Sequence, residues 1–176
     1  MAEAQPQAKI GLVPCAVGGT SIRSWAPGKE VASLKVFPYD DTIRRMKVAM
    51  KDGTLKGILW HQGEGDRSGK GSKYYGTKMT QLVARLRQDL DAPNVPLVAG
   101  ELGQLNETNA NITAVMNGIL RGLAPTITNY ACVSAEGLTD KGDRLHFDTA
   151  SARTLGTRYA AAMLELQAQG ARSHRE

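Results

Sequence analysis

Short apolar runs alternate with amphipathic segments along this chain, and that alternation limits the folds open to it. Residues 10–14, 55–61, 97–102 and 130–134 are apolar almost throughout, as strands buried on both faces are. Between them lie helical patterns at about 40–51 (ended by Gly53), 107–123 and 149–169. The clearest helix carries Tyr75, Met79, Leu82, Val83, Leu86 and Leu90 on one face at three- and four-residue intervals, and Pro93 and Pro96 end it. In the last helix Leu155, Tyr159, Met163 and Leu166 form a stripe. Strands that each lead into a helix predict an α/β fold with a parallel sheet covered on both faces. Ligands of such folds bind beyond the carboxyl ends of the strands.

At 176 residues the chain has the length of one domain, with residues 1–9 a peripheral leader and 170–176 a peripheral tail. The net charge of +5 is scattered; Arg44-Arg45 is the densest basic pair before the tail, and no basic run is interleaved with aromatics. Nucleic-acid binding, which needs a concentrated basic stripe, is therefore not expected. No apolar stretch approaches the roughly 20 residues that span a bilayer, and residues 1–9 lack the apolar centre of a signal peptide. Localisation stays open, cytoplasmic by default. Cys15 and Cys132 sit in apolar runs and are expected as buried free thiols. Three histidines without clustered Cys/His spacing give a zinc site no support.

Four segments at predicted strand ends carry chemistry. Gly18-Gly19-Thr20-Ser21 is a turn in which adjacent glycines allow backbone N–H groups to approach a ligand, or simply a tight structural turn. Trp60-His61-Gln62-Gly63-Glu64 concentrates polar groups that are costly to desolvate without purpose. Gln62 has an amide donor suited to a developing oxyanion, and Glu64 a carboxylate suited to orienting neighbours or binding sugar hydroxyls. Asp143-Arg144-Leu145-His146 places an acid three residues before a histidine. An Asp folded back on His146 Nδ1–H fixes the tautomer and leaves Nε2 as a general base. Glu101 either faces the site or is a satisfied structural carboxylate, and Trp25 and Trp60 are sugar platforms or core.

Taken in this order, the segments resemble the SGNH hydrolase superfamily. Within it they are similar to carbohydrate esterase family 6, the acetylxylan esterase and sialate O-acetylesterase-like group. The carriers are the run from Ile10 through Gly18-Gly19-Thr20-Ser21-Ile22 with Trp25, then Trp60-His61-Gln62-Gly63-Glu64, then Asp143-Arg144-Leu145-His146-Phe147. The resemblance implies a three-layer α/β/α sandwich, SGNH or flavodoxin-like, that hydrolyses acetyl esters on xylan or other sugars, or small acetyl esters. His146 is then the base, Asp143 its orienter, and Gly19 and Gln62 hold the oxyanion, with no metal or organic cofactor expected.

The family opens with a strand leading into Gly-Gln-Ser-Asn-Met, whose serine is the nucleophile, and this sequence contains no Gly-Gln-Ser. The expectation is that the nucleophile, one oxyanion donor and the family's first strand are missing. The strands at 10–14 and 55–61 then pair directly, or another chain fills the gap, so a homo-oligomer is expected. Ser21, followed by Ser24, is the nearest serine for recruitment; failing it, His146 activates water. The alternatives are a carbohydrate-binding relic and the product of a truncated reading frame.

Overall fold

Runs of three or four apolar residues supply the sheet, and the helices between them supply its two covers. The structure, a computed structural model, describes residues 1–172. Its strands are β1 (Ile58–Trp60), β2 (Leu97–Gly100) and β3 (Tyr130–Val133), all parallel in the order β1-β2-β3. The helices are α1 (Pro38–Ala49), α2 (Lys70–Asp89), α3 (Ala110–Arg121) and α4 (Thr149–Arg172). Residues 173–176, within the expected tail, lie outside the described residues.

Alternation along β2 sorts the core into two halves. Leu97 and Ala99 join Trp60 and the α2–α3 side chains Tyr75, Met79, Leu82, Val83, Met116 and Leu120 on one face. Val98 and Val133 meet Leu155, Tyr159, Met163 and Leu166 of α4 on the other. This is the three-layer α/β/α arrangement expected, with the predicted stripes of α2 and α4 as its inner surfaces. Arg87 of α2, buried, donates from Nε and Nη2 to the Val95 carbonyl and from Nη2 to that of Thr128, tying together the segments that enter β2 and β3.

One expected strand does not form. Residues 10–14 have no ladder partner, and Ile10, Leu12 and Val13 are 42%, 83% and 37% exposed. A strand exists only through pairing, and the outer side of β1 is not brought against this segment; its Pro14 carbonyl accepts from Arg45 of α1 instead. The direct pairing of 10–14 with 55–61 is thus not seen, and β1 is an edge strand with Leu59 57% exposed. The helix boundaries move by local causes. Pro38, with its φ already helical, starts α1 two residues early, and α4 begins where the Asp148 carboxylate accepts the Ser151 N–H at 2.7 Å.

Two contacts aim the chain leaving β2 at the site. Asn117 of α3 is buried and bonds both backbone groups of Leu102, accepting its N–H at 2.8 Å and donating to its carbonyl at 2.9 Å. Gly100 leaves room for α4: a Cβ there would run into the Tyr159 hydroxyl and stand 2.8 Å from His61 Nδ1. Gly100→Ala is therefore expected to cost about 1–3 kcal/mol through overpacking. At roughly 2–4 °C per kcal/mol for a chain of this size, thermal melts should show Tm lower by roughly 2–12 °C.

Candidate functional site

The carboxyl ends of the three strands open onto one small cavity of about 100 Å³, lined by His61, Glu64, Arg67, Gly103, Arg144, Leu145, His146 and Phe147. With a water's share of liquid volume near 30 Å³, about three waters fit, a space suited to an acyl group with the rest of a ligand on the rim. The segment after β1 delivers His61, Glu64 and Arg67, that after β2 delivers Gly103, and the loop between β3 and α4 delivers the others.

That loop is organised by its own acids. Asp140 Oδ1 accepts the N–H groups of Gly142 and Arg144 at 2.6 and 2.9 Å. Gly142 and Arg144 both have positive φ, and an antiparallel bridge pairs Asp140 with Phe147. Asp143 Oδ1 then accepts from the N–H groups of Leu145 and His146, while Oδ2 lies 2.7 Å from His146 Nδ1. A carboxylate only accepts, so Nδ1 carries the proton and Nε2 keeps its lone pair. The backbone N–H of His146, then its side chain, hold the Asp143 carboxyl far below the usual carboxylate range, so it stays ionised. Lys141 Nζ stands 3.4 Å from the same carboxylate.

Across the cavity is a second histidine that motif reading did not single out as a site residue. The Tyr159 hydroxyl donates to the Trp60 carbonyl at 2.7 Å, so His61 Nδ1–H donates to the tyrosine oxygen at 3.3 Å. His61 Nε2 lies 3.8 Å from Glu64 Oε1, and its ring meets Phe147 edge-on at 5.7 Å. Burial pushes the His61 pKa down, against the opposing charge of Glu64, and this holds the ring neutral. Arg67 and Arg144 also reach the cavity; Arg144 was visible inside the Asp-x-x-His segment, whereas nothing in the sequence between β1 and α2 marked Arg67.

The structure thus brings His146, Asp143 and Glu64 together, while Gly19, Ser21 and Gln62 fall in an adjoining network outside the cavity lining. Asp66, buried, is its centre: it accepts from Ser21 Oγ at 2.6 Å, the Ile22 N–H at 2.7 Å and Gln62 Nε2 at 2.8 Å. Gln62 Nε2 gives its other hydrogen to the Thr20 carbonyl at 2.9 Å, and the Tyr75 hydroxyl reaches the Gln62 backbone carbonyl at 2.7 Å and its Oε1 at 3.1 Å. Both amide hydrogens of Gln62 are committed, so it has none left for an oxyanion here. Ser21 gives its hydroxyl hydrogen to Asp66 rather than to His146, and its oxygen caps the turn at Ile22–Ser24. Gly19 adopts φ +71°, the left-handed turn its residue type allows.

The remaining candidates resolve as structure. Glu101 accepts the Ala135 N–H and pairs with Arg121. Trp25 and Trp60 are core residues, edge to face at 5.1 Å. Cys15 and Cys132 are free but half-buried rather than fully buried, and burial pushes the Cys132 thiol up to about 11. Among the described residues, no three His, Cys, Asp or Glu side chains are grouped to hold a metal ion, and no helix is long and apolar enough to cross a membrane.

Comparison with known proteins supplies the family. The family model for carbohydrate esterase, sialic acid-specific acetylesterase matches residues 1–165. The chain belongs to that carbohydrate esterase family. It is 33% identical over 159 residues to a probable carbohydrate esterase of Arabidopsis thaliana, covering 89% of this chain and 56% of the relative. The X-ray structure of an Arabidopsis thaliana protein superimposes with a TM-score of 0.80 at 33% identity, over 93% of this chain and 64% of that one. This carbohydrate esterase family member therefore spans a little over half the length of the curated relative it matches. The α/β fold drawn from the ordered segments stands, and so does membership of a carbohydrate esterase family.

Proposed function

We propose that this esterase family member hydrolyses acetyl esters on carbohydrate, with His146 as general base and Asp143 as its orienter. The observation that carries the reading is the 2.7 Å Asp143–His146 pair, which leaves Nε2 as a lone-pair base at a cavity of acyl-group size. No lining residue carries a hydroxyl or thiol, so the nucleophile in this reading is water. His146 Nε2 takes a proton as the water oxygen attacks the acetyl carbonyl. The tetrahedral intermediate then expels the sugar oxygen, which recovers that proton, giving acetate and the free sugar hydroxyl. Glu64 accepts hydrogen bonds from sugar hydroxyls at the rim.

Mass spectrometry after fluorophosphonate treatment, run beside 4-nitrophenyl acetate hydrolysis, tests this. The expected result is turnover without a burst, no serine adduct, and the same rate in Ser21→Ala. A His146-dependent adduct on Ser21 would replace water by a recruited serine. A folded protein that turns over no acetyl ester would leave only a carbohydrate-binding role.

A further inference from the structure

The Asp143–His146 pair is not the only source of a bare imidazole nitrogen at the cavity. The Tyr159 hydroxyl has one hydrogen, which goes to the Trp60 carbonyl at 2.7 Å. Only its oxygen is left for His61 Nδ1 at 3.3 Å, so Nδ1 carries the ring proton and Nε2 keeps a lone pair. Burial keeps the ring neutral, so that lone pair persists. Nδ1 is turned toward Tyr159 and Gly100, and Nε2, across the ring, faces Glu64, another residue of the cavity wall. Among the described residues no donor reaches Nε2; Glu64 Oε1, 3.8 Å away, is itself an acceptor. His61 and His146 line one space of about 100 Å³, and Phe147, next to His146 in the chain, meets the His61 ring edge-on at 5.7 Å. Two histidines that each offer a lone pair therefore share a cavity of a few waters' size.

A water held by one acceptor still turns about that bond. A second acceptor fixes both of its hydrogens and so aims an oxygen lone pair, which is the part of catalysis that orientation supplies. We propose that His61 Nε2 is this second acceptor, so that His146 and His61 hold the attacking water between them. One hydrogen goes to His146 Nε2 and is transferred as the oxygen attacks the acetyl carbon. The other stays on that oxygen, donated to His61 Nε2, through the tetrahedral intermediate. When the bond from carbon to the sugar oxygen breaks, His146 returns its proton to that oxygen. The hydrogen still on the new carboxyl group leaves to solvent as acetate forms. His61 takes up no proton in either step; it places the water. Tyr159 acts through it, as a positioning residue that fixes the tautomer. This assignment rests on the hydrolase reading above and adds a residue to it.

The test is steady-state hydrolysis of 4-nitrophenyl acetate by two variants that separate the two ring nitrogens. His61→Asn puts its amide where Nδ1 stands and leaves nothing at the position of Nε2. His61→Gln can place its carbonyl oxygen there. The expected result is a kcat lower by on the order of tenfold in His61→Asn, the strength of about one hydrogen bond, with KM unchanged, and most of kcat kept in His61→Gln. Equal losses in the two variants, or a loss lying in KM, would overturn the role, since a side chain that only packs has no reason to prefer glutamine. Should either variant melt well below the wild type, Tyr159→Phe decides instead. It keeps both rings but frees His61 to take the other tautomer, so kcat is expected to fall severalfold at constant KM, and an unchanged kcat would overturn the role. A wild type that turns over no 4-nitrophenyl acetate removes the hydrolase reading and this role with it; turnover without the Asn–Gln difference removes this role alone.

Discussion

His146→Ala is expected to lower kcat/KM for 4-nitrophenyl acetate by roughly 10²–10⁴, the contribution of a positioned general base. The imidazole is exposed and carries no core contact, so the variant should melt with the wild type and the loss should lie in kcat. Asp143→Asn is expected to lose activity for a different reason. An amide turned to present its NH2 to Nδ1 favours the tautomer with the proton on Nε2, where the base is needed, and in triad enzymes that error costs on the order of 10⁴. Because backbone and side-chain hydrogen bonds keep the Asp143 carboxyl far below its ordinary range, it remains ionised throughout the usable pH range. The pH–rate profile is therefore expected to show no limb from Asp143. Steady-state kinetics on both variants checks this, and unchanged rates in His146→Ala would remove the Asp–His pair from the mechanism.

Asp66→Ala is expected to produce the largest loss of stability. The carboxylate is 3% exposed and accepts three hydrogen bonds that converge from two loops. The Ser21 hydroxyl can rotate toward water once its acceptor is gone. The Ile22 N–H and one Gln62 amide hydrogen cannot, and each buried donor left unpaired costs about 1–3 kcal/mol. The sum, roughly 2–6 kcal/mol, corresponds to a Tm lower by roughly 4–24 °C in a thermal melt. Asp66→Asn keeps one acceptor oxygen and should fall between. If Asp66→Ala melts with the wild type, the network is not what holds the Gly18–Ser24 turn against the end of β1. The same experiment bears on the site, because Gln62 follows His61 directly, and freeing its amide loosens the segment carrying that ring.

Periodicity made some elements legible at once. The stripe from Tyr75 to Leu90 and the one from Leu155 to Leu166 are the buried faces of α2 and α4, since a helix that covers a sheet must repeat its apolar residues every three or four positions. The three strands that form were found with their ends too long, because apolar content continues past the last paired residue. Residues 10–14 show the limit of that signal. Their composition is that of a buried strand, yet Leu12 is 83% exposed, because composition is local and strand pairing is not.

The site divides along the same line. The Asp143–His146 contact was readable because both partners lie within one loop, three residues apart, and backbone geometry alone lets the acid fold back. Ser21 and Gln62 were chosen by residue type as nucleophile and oxyanion donor, and what they do here depends on Asp66, which lies 45 residues from Ser21. Likewise His61 and Arg67 reach the cavity only because the strands place their carboxyl ends side by side. The sequence by itself determined the layer pattern, the two helix stripes and the orienter–base pair, all set by spacings of a few residues. Tertiary structure alone decided which strand found a partner, which polar side chains spent their hydrogens inside the fold, and which side chains meet at the cavity, because each of those outcomes depends on contacts between residues far apart in the chain.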